Sequence, residues 1–374
     1  NAIRAELEII ALAATKANIM ISLNGLIISA LMISGAFIFS STAAFLLPAG
    51  VFLLTAAASI FFALLAAGAC LLGTVKGAAG ISLPEVWQAL MGEGNGGSAQ
   101  IVRNIRLPRV LTGAAVGMNL ALAGTLLQGV LRNSLADPHI IGVSAGAGLT
   151  GILILVMFPQ AEALLTPAAF VGAIGAAALV YALAWNGGLR PGRVILAGVA
   201  VAALFGAGIT SLLIFYSDRV HGALAWMAGG LAARTWPHVY MVWPYALVGG
   251  LIAMAMAGRL NLLQLGDDVA RSLGLAVEKT RLLLIALAAL LAASAVSVAG
   301  LLGFVGLIVP HAARLLIGSD HRFLLPAAGL LGAATVTFCD TIARTAFAPL
   351  ELPVGVLMAA LGAPFFLYLL RKEL

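Results

Sequence analysis

The chain has 374 residues, 62% of them hydrophobic and 9% charged, with a mean hydropathy of +1.11. A soluble globular domain carries roughly 25% charged residues, so a water-soluble enzyme or binding module is excluded and a membrane protein is indicated. The formal charge of +6 comes from basic residues dispersed among apolar runs, without the aromatic-interleaved stripe expected of a nucleic-acid binder, so no nucleic-acid partner is expected.

An apolar run of about 20 residues crosses a ~30 Å hydrocarbon core at 1.5 Å per residue. Such runs recur near 18–39, 45–73, 107–130, 139–158, 166–185, 194–216, 238–258, 280–299, 301–317, 323–346 and 352–370. The many small residues, 43 glycines among them, suit helices packed closely in lipid. Cys70 and Cys339 both sit in apolar runs with no CxxC partner, which suggests neither a disulfide nor a metal site.

After the run at 45–73, Ser82 ahead of Pro84 and Glu85 reads as the N-cap of a short interfacial helix. Arg106 and Arg109 then bracket Pro108 at the mouth of the next membrane helix, and read by themselves as side chains snorkelling to the interface. Asn133, Asp137 and Pro138 form a polar turn, with Asp137 read as a cap on the helix that follows. Further on, Pro310-His311 inside an apolar run predicts a kink. No histidine pair has metal-ligand spacing, and no metal or other cofactor is expected.

The segment LGDDVARSLGLAVEKTR, residues 265–281, departs from this background, with Asp267, Asp268, Arg271, Glu278, Lys279 and Arg281 within seventeen positions. Basic residues including Arg132, Arg259, Lys279, Arg281, Arg314 and Arg322 lean to the side of the membrane that would hold it, which places it in the cytoplasm by the positive-inside tendency. No P-loop, nucleophile elbow or HExxH occurs, so neither ATP binding by this chain nor an enzyme is expected.

Several ordered stretches carry a resemblance: RLPRVLTGAAVGMNLALAGTLLQGVLRNSLADPHIIGVSAGAG (106–148), RVILAGVA (193–200), the segment 265–281, VSVAGLLGFVGLIVPHAARLLIGSDHRFLLP (296–326) and ELPVGVLMAALGAPFFLYLL (351–370). Over about residues 70–374 the chain resembles the FecCD-like permease subunits of ABC importers for iron-siderophores, haem and cobalamin. The resemblance implies an all-α, polytopic inner (plasma) membrane protein with about ten transmembrane helices, plus one extra N-terminal apolar helix in this chain. It divides the chain into an atypical extension, 1–50, and a permease domain, 51–374.

It also implies partners: two copies of an ATP-binding-cassette ATPase, a periplasmic or lipid-anchored substrate-binding protein, and a second permease copy in a homodimer. By the same resemblance, residues 265–281 form a pair of short helices docking on the ATPase, with Gly266, Asp267, Asp268, Arg271, Ser272, Leu273 and Gly274 in the contact. Arg106, Arg109 and Arg344 match outward-facing positions that meet the binding protein. Residues 1–66 resemble, more weakly, the membrane domain of cyclic-nucleotide-responsive antiphage effectors, which gives an alternative function as a membrane effector. A third reading, proton-coupled transport, would rest on Asp340 and Glu351.

Overall fold

A computed structural model describes residues 46–374 apart from 78, 93–95, 187, 190, 349 and 374. The apolar run at 18–39, and with it nearly all of the expected extension 1–50, lies outside the described residues. The chain divides into two compact units, 1–57 and 58–374. Of the first, only the start of helix α1 (Leu46–Val75) is described, and the rest of that helix belongs to the second, which the packing below concerns.

The second unit is helical throughout, and the described residues contain no strand, only an isolated bridge between Trp185 and Leu189. Helix α2 (Leu83–Leu90) is short. Helix α3 (Gly97–Ile101) runs through a π turn at Val102–Arg106 into α4 (Leu107–Leu131). A 3-10 turn at Pro138–Ile141 leads to α5 (Val143–Met157), followed by α6 (Leu165–Ala184) and α7 (Pro191–Phe215). Then come α8 (Val220–Met227), α9 (Trp236–Pro244) and α10 (Gly250–Gln264), the last two joined by a π turn at Tyr245–Gly249. The chain ends with α11 (Asp267–Ser272), α12 (Val277–Ala299), α13 (Val305–Ile317), α14 (His321–Thr345) and α15 (Val354–Glu373).

Seven helical stretches among the described residues are long and apolar enough to cross a membrane, and α5, α13 and most of α15 are shorter apolar helices. Burial sorts them. The stretch containing α4 is 89% buried and α12 78%, whereas α7 is 17% buried, so α4 and α12 are interior and α7 faces the surroundings with Leu196, Leu204, Ile214 and Phe215. Closest approach comes from small residues: a Cβ on Gly117 would lie 2.1 Å from the carbonyl oxygen of Gly332, and one on Gly124 1.9 Å from that of Gly306. Backbones this close gain van der Waals contact where lipid offers no hydrophobic drive.

Polar side chains inside α4 bond to neighbouring helices and to α4's own backbone. Asn119 Nδ2 donates to Ser294 Oγ at 2.9 Å, Thr125 Oγ1 to the Ala121 carbonyl at 2.7 Å, and Gln128 Nε2 to the Gly306 carbonyl at 3.2 Å. The caps follow the sequence reading. Ser82 is the N-cap of α2, where its N–H and hydroxyl both donate to Glu85 Oε2, at 2.8 and 2.7 Å. Asp137 Oδ1 accepts from the His139 N–H at 2.9 Å.

Candidate functional site

The antiparallel run of α4 and α14 puts charge at the two ends of the bundle. At one end lies the segment 265–281. The family resemblance implies two short helices here, but the structure has one, α11, and a turn that enters the long helix α12 directly. Gly266 and Gly274 have φ of 105° and 83°, a region that costs an L-residue roughly 1–2 kcal/mol, and this explains why glycine brackets α11. Val269 in the helix and Leu273 at its C-cap are exposed at four-residue spacing, on one side, and Leu265 just before Gly266 is exposed too. Beside them are Asp268, fully exposed, and Arg271, 3.5 Å from it.

Asp267 behaves differently from its neighbour. Its Oδ1 accepts from Arg281 Nη2 at 2.9 Å and lies 3.4 Å from Arg132 Nη2, tying α11 to α12 and to the end of α4. Arg281 is 2% exposed and also donates to the Leu189 carbonyl at 2.8 Å. Glu278 lies 3.7 Å from both Arg271 and Arg281 and accepts from the Leu189 N–H at 3.1 Å. The segment therefore packs on the bundle with an exposed mixed surface: Asp268 and Arg271 are exposed, whereas Asp267 is partly covered and Arg281 buried.

At the opposite end, the three arginines expected on an outward surface are buried, at 3%, 7% and 4% exposure for Arg106, Arg109 and Arg344. Arg106 donates to the carbonyls of Thr74, at 3.1 Å, Val75, at 2.6 Å, and Ala79, and Arg344 to that of Gly73. Gly73, Thr74 and Val75 are the last residues of α1. Their carbonyls have no intrahelical partner, and a cation at the negative end of the helix dipole satisfies them. Arg109 grips Asp340 with two bonds of 2.9 Å and Glu351 with one of 2.7 Å. Both carboxylates weighed for proton relay are thus ion-paired. The partners of Arg109 stand 231 and 242 residues away in the chain, beyond what local spacing reveals.

Between the ends, Asp137, His139, Met227, Leu301, Phe304 and Phe366, among others, line a mostly apolar cavity of about 630 Å³. One wall is a feature that sequence reading missed: α8 and the turn after it, where eight helical residues stop at Met227. This interrupted backbone is satisfied by protein, as lipid depth requires, with Gly230 N–H donating to the Ala299 carbonyl at 2.8 Å and Gly355 N–H to the Gly229 carbonyl at 3.0 Å. Gly300 has φ of 74°, and a Cβ there would lie 2.2 Å from the Trp226 carbonyl oxygen. The pair Gly229-Gly230 was the available signal.

A bundle with seven helical stretches long and apolar enough to cross a membrane, around a mostly apolar cavity, has the form of a polytopic transport permease. Residues 64–372 match the FecCD transport family, and the chain belongs to that family. It is 47% identical over 277 residues, 73% of this chain and 74% of the relative, to the cobalamin import system permease protein BtuC of Halobacterium salinarum. It is 40% identical over 304 residues to the hemin transport system permease protein HmuU of Yersinia pestis, covering 79% and 90% of the two chains. Similarity to the Fe(3+)-citrate import system permease protein YfmE of Bacillus subtilis is 39% over 274 residues, covering 73% and 82%. A solved metal-chelate type ABC transporter in an inward-facing conformation superposes with a TM-score of 0.75 at 31% identity, over 84% of this chain and 98% of that one. The chain is a multi-pass protein of the inner (plasma) membrane, and a permease of this family works with an ATPase and a substrate-binding protein. The antiphage alternative gains no support from these similarities.

Proposed function

We propose that this chain is the membrane-spanning subunit of an ABC importer for a metal chelate (an iron-siderophore or haem) or cobalamin, paired with a second copy of itself and driven by two ATPase subunits. The observation that carries the reading is the family match over residues 64–372, joined to a cavity of about 630 Å³ with a mainly apolar wall. A bulky chelate with a large apolar surface suits such a wall.

In this reading the chain makes and breaks no covalent bonds. The exposed surface of α11 and the turns flanking it, with Leu265, Asp268, Val269, Arg271, Ser272 and Leu273, docks on the ATPase, where apolar area supplies affinity and the charges select the partner. Asp267, bound to Arg281 and Arg132, passes movement of α11 to α12 and α4. The opposite end is the platform for the substrate-binding protein. Arg106, Arg109 and Arg344 hold the ends of α1, α4 and α14 together there, so their part in docking is to shape the platform. ATP-driven approach of the two ATPases then biases the bundle between outward- and inward-open states.

Co-expression with a cognate ATPase and substrate-binding protein, followed by mass spectrometry of small molecules retained by the purified complex, tests this. A retained chelate or corrinoid is expected. A complex that forms but imports no such compound into proteoliposomes overturns it.

A further inference from the structure

Helix α2 carries apolar side chains on two sides, and only one side is covered. Val86 and Ala89 are buried against Ala99 and Val102, on the stretch that leads into α4. Leu83 and Trp87 in the helix and Met91 at its C-cap recur at four-residue spacing, hence on one side, and each is more than half exposed. Eight residues do not hold a helix in water alone, so the exposed side is fixed by its surroundings. These are the Ser82–Glu85 cap at one end and, at the other, Arg103 Nε, which donates to the Ala89 carbonyl at 2.6 Å.

That side borders a groove. Leu71 and Val75 in the last turns of α1 stand across from Leu83, Trp87 and Leu90, around about 410 Å³. Every lining side chain is apolar, and the indole N–H of Trp87 is the single polar group they bring. What fills the groove is indicated by α1. Its stretch Ala57–Val75 is apolar enough to cross a membrane and only 28% buried, with Leu64, Leu71 and Leu72 exposed. Leu71 thus belongs both to a lipid-facing surface and to the groove, which opens onto hydrocarbon at the level where α1 ends. A tryptophan, with an apolar body and one donor, suits that level, as does the exposed Lys76 that follows Val75.

We propose that this groove holds an acyl chain of a membrane phospholipid, in the leaflet opposite α11, with α2 lying in the interface and Trp87 at the depth of the headgroups. Continuity with the lipid-facing side of α1 selects lipid over a protein occupant, since a soluble partner would have to strip bilayer from Leu71 to reach the groove. The only charged side chain of α2, Glu85, is engaged by Ser82, so the face offers a protein little electrostatic recognition. The consequence reaches the rest of this end of the bundle. Arg103 ties α2 to the π turn whose Arg106 holds the end of α1, and the Arg103 carbonyl accepts from Trp236 Nε1 of α9 at 3.1 Å. A lipid-seated α2 sets the depth at which that end stands in the bilayer.

The test uses the full chain in nanodiscs and needs neither transported substrate nor ATPase. The emission of Trp87 is taken as the difference between wild type and Trp87→Phe, which sets aside the other tryptophans. In discs of phosphatidylcholine brominated on its acyl chains, this emission should lose most of its intensity relative to unbrominated discs, with the larger loss for bromine near the carbonyl end. Aqueous iodide should quench it only weakly. Native mass spectrometry from detergent then counts retained phospholipid. Filling the groove in Val75→Phe/Leu90→Phe should lower that count, with helical circular dichroism showing that the variant is folded. The quenching measurement needs no filled variant, so it decides the matter even where that variant fails to fold. The proposal is overturned if acyl-chain bromine leaves the Trp87 emission unchanged, or if the folded, filled variant retains as much lipid as wild type. It is also overturned if Trp87 is open to iodide until the substrate-binding protein is added, which would give this face to that partner.

Discussion

Replacing Asp267 with Asn removes the carboxylate from Arg281, whose side chain is 2% exposed, at a bond of 2.9 Å. Breaking a buried ion pair by removing one partner costs about 3–5 kcal/mol. Two features reduce this: Asp267 keeps 29% of its side chain accessible, and Glu278 remains 3.7 Å from Arg281. The expected loss is therefore about 1–3 kcal/mol. Asp268, one residue along and fully exposed with Arg271 as its partner at 3.5 Å, should tolerate Asn with no measurable change in stability. The pair separates fold from coupling. Thermal unfolding in nanodiscs should show a lower midpoint for Asp267→Asn alone, while ATPase-driven uptake into proteoliposomes should fall for both variants. If Asp267→Asn is as stable as wild type, or Asp268→Asn equally destabilised, the assignment of Asp267 as the root of α11 is wrong.

Asp340→Asn leaves Arg109, with a side chain 8% exposed, without its two-bond partner, and should cost about 3–5 kcal/mol, much of it restored in Arg109→Met/Asp340→Leu; thermal midpoints of the single and double variants check this. Gly300→Ala combines a φ of 74° with a Cβ 2.2 Å from the Trp226 carbonyl oxygen and should cost about 2–4 kcal/mol, whereas Gly175→Ala, with nothing within 4 Å, should be neutral or slightly stabilising in the same melt. Asp320 caps α14 just outside its membrane-spanning part. Burial alone would raise its pKa, but hydrogen bonds from the Arg322 N–H and the Asn261 amide outweigh this and hold the carboxyl below its ordinary 3.8. Its contribution is therefore present above about pH 4 and lost as pH falls through the lowered value, so hydrogen exchange in the first turn of α14 should stay slow at pH 5 and quicken only below pH 4.

Helix positions were readable because their signal is contiguous: apolar length predicts 107–130, 166–185 and 280–299, and the helices span Leu107–Leu131, Leu165–Ala184 and Val277–Ala299. Glycines at sharp turns were readable too, since Gly266 and Gly274 interrupt a charged helical pattern. Helix α8 was not, because eight residues between two long apolar runs are too few to show a period. Nor was the fate of the arginines: Arg109 is neutralised by Asp340 and Glu351 from the far end of the chain, and Arg106 by main-chain carbonyls that any sequence would supply. Charge in a local stretch reveals a solvated face only when no distant element returns to cover it. For α11 that condition holds on the side of Asp268 and fails on the side of Asp267.

The most direct test of the central claim is uptake by proteoliposomes holding this chain and its ATPase, with the binding protein outside and ATP inside, and with iron-siderophore, haem and cobalamin offered in turn. ATP-dependent accumulation of one of these ligands is expected, abolished when the binding protein is left out. ATP hydrolysis at a normal rate with none of the three accumulating would contradict it.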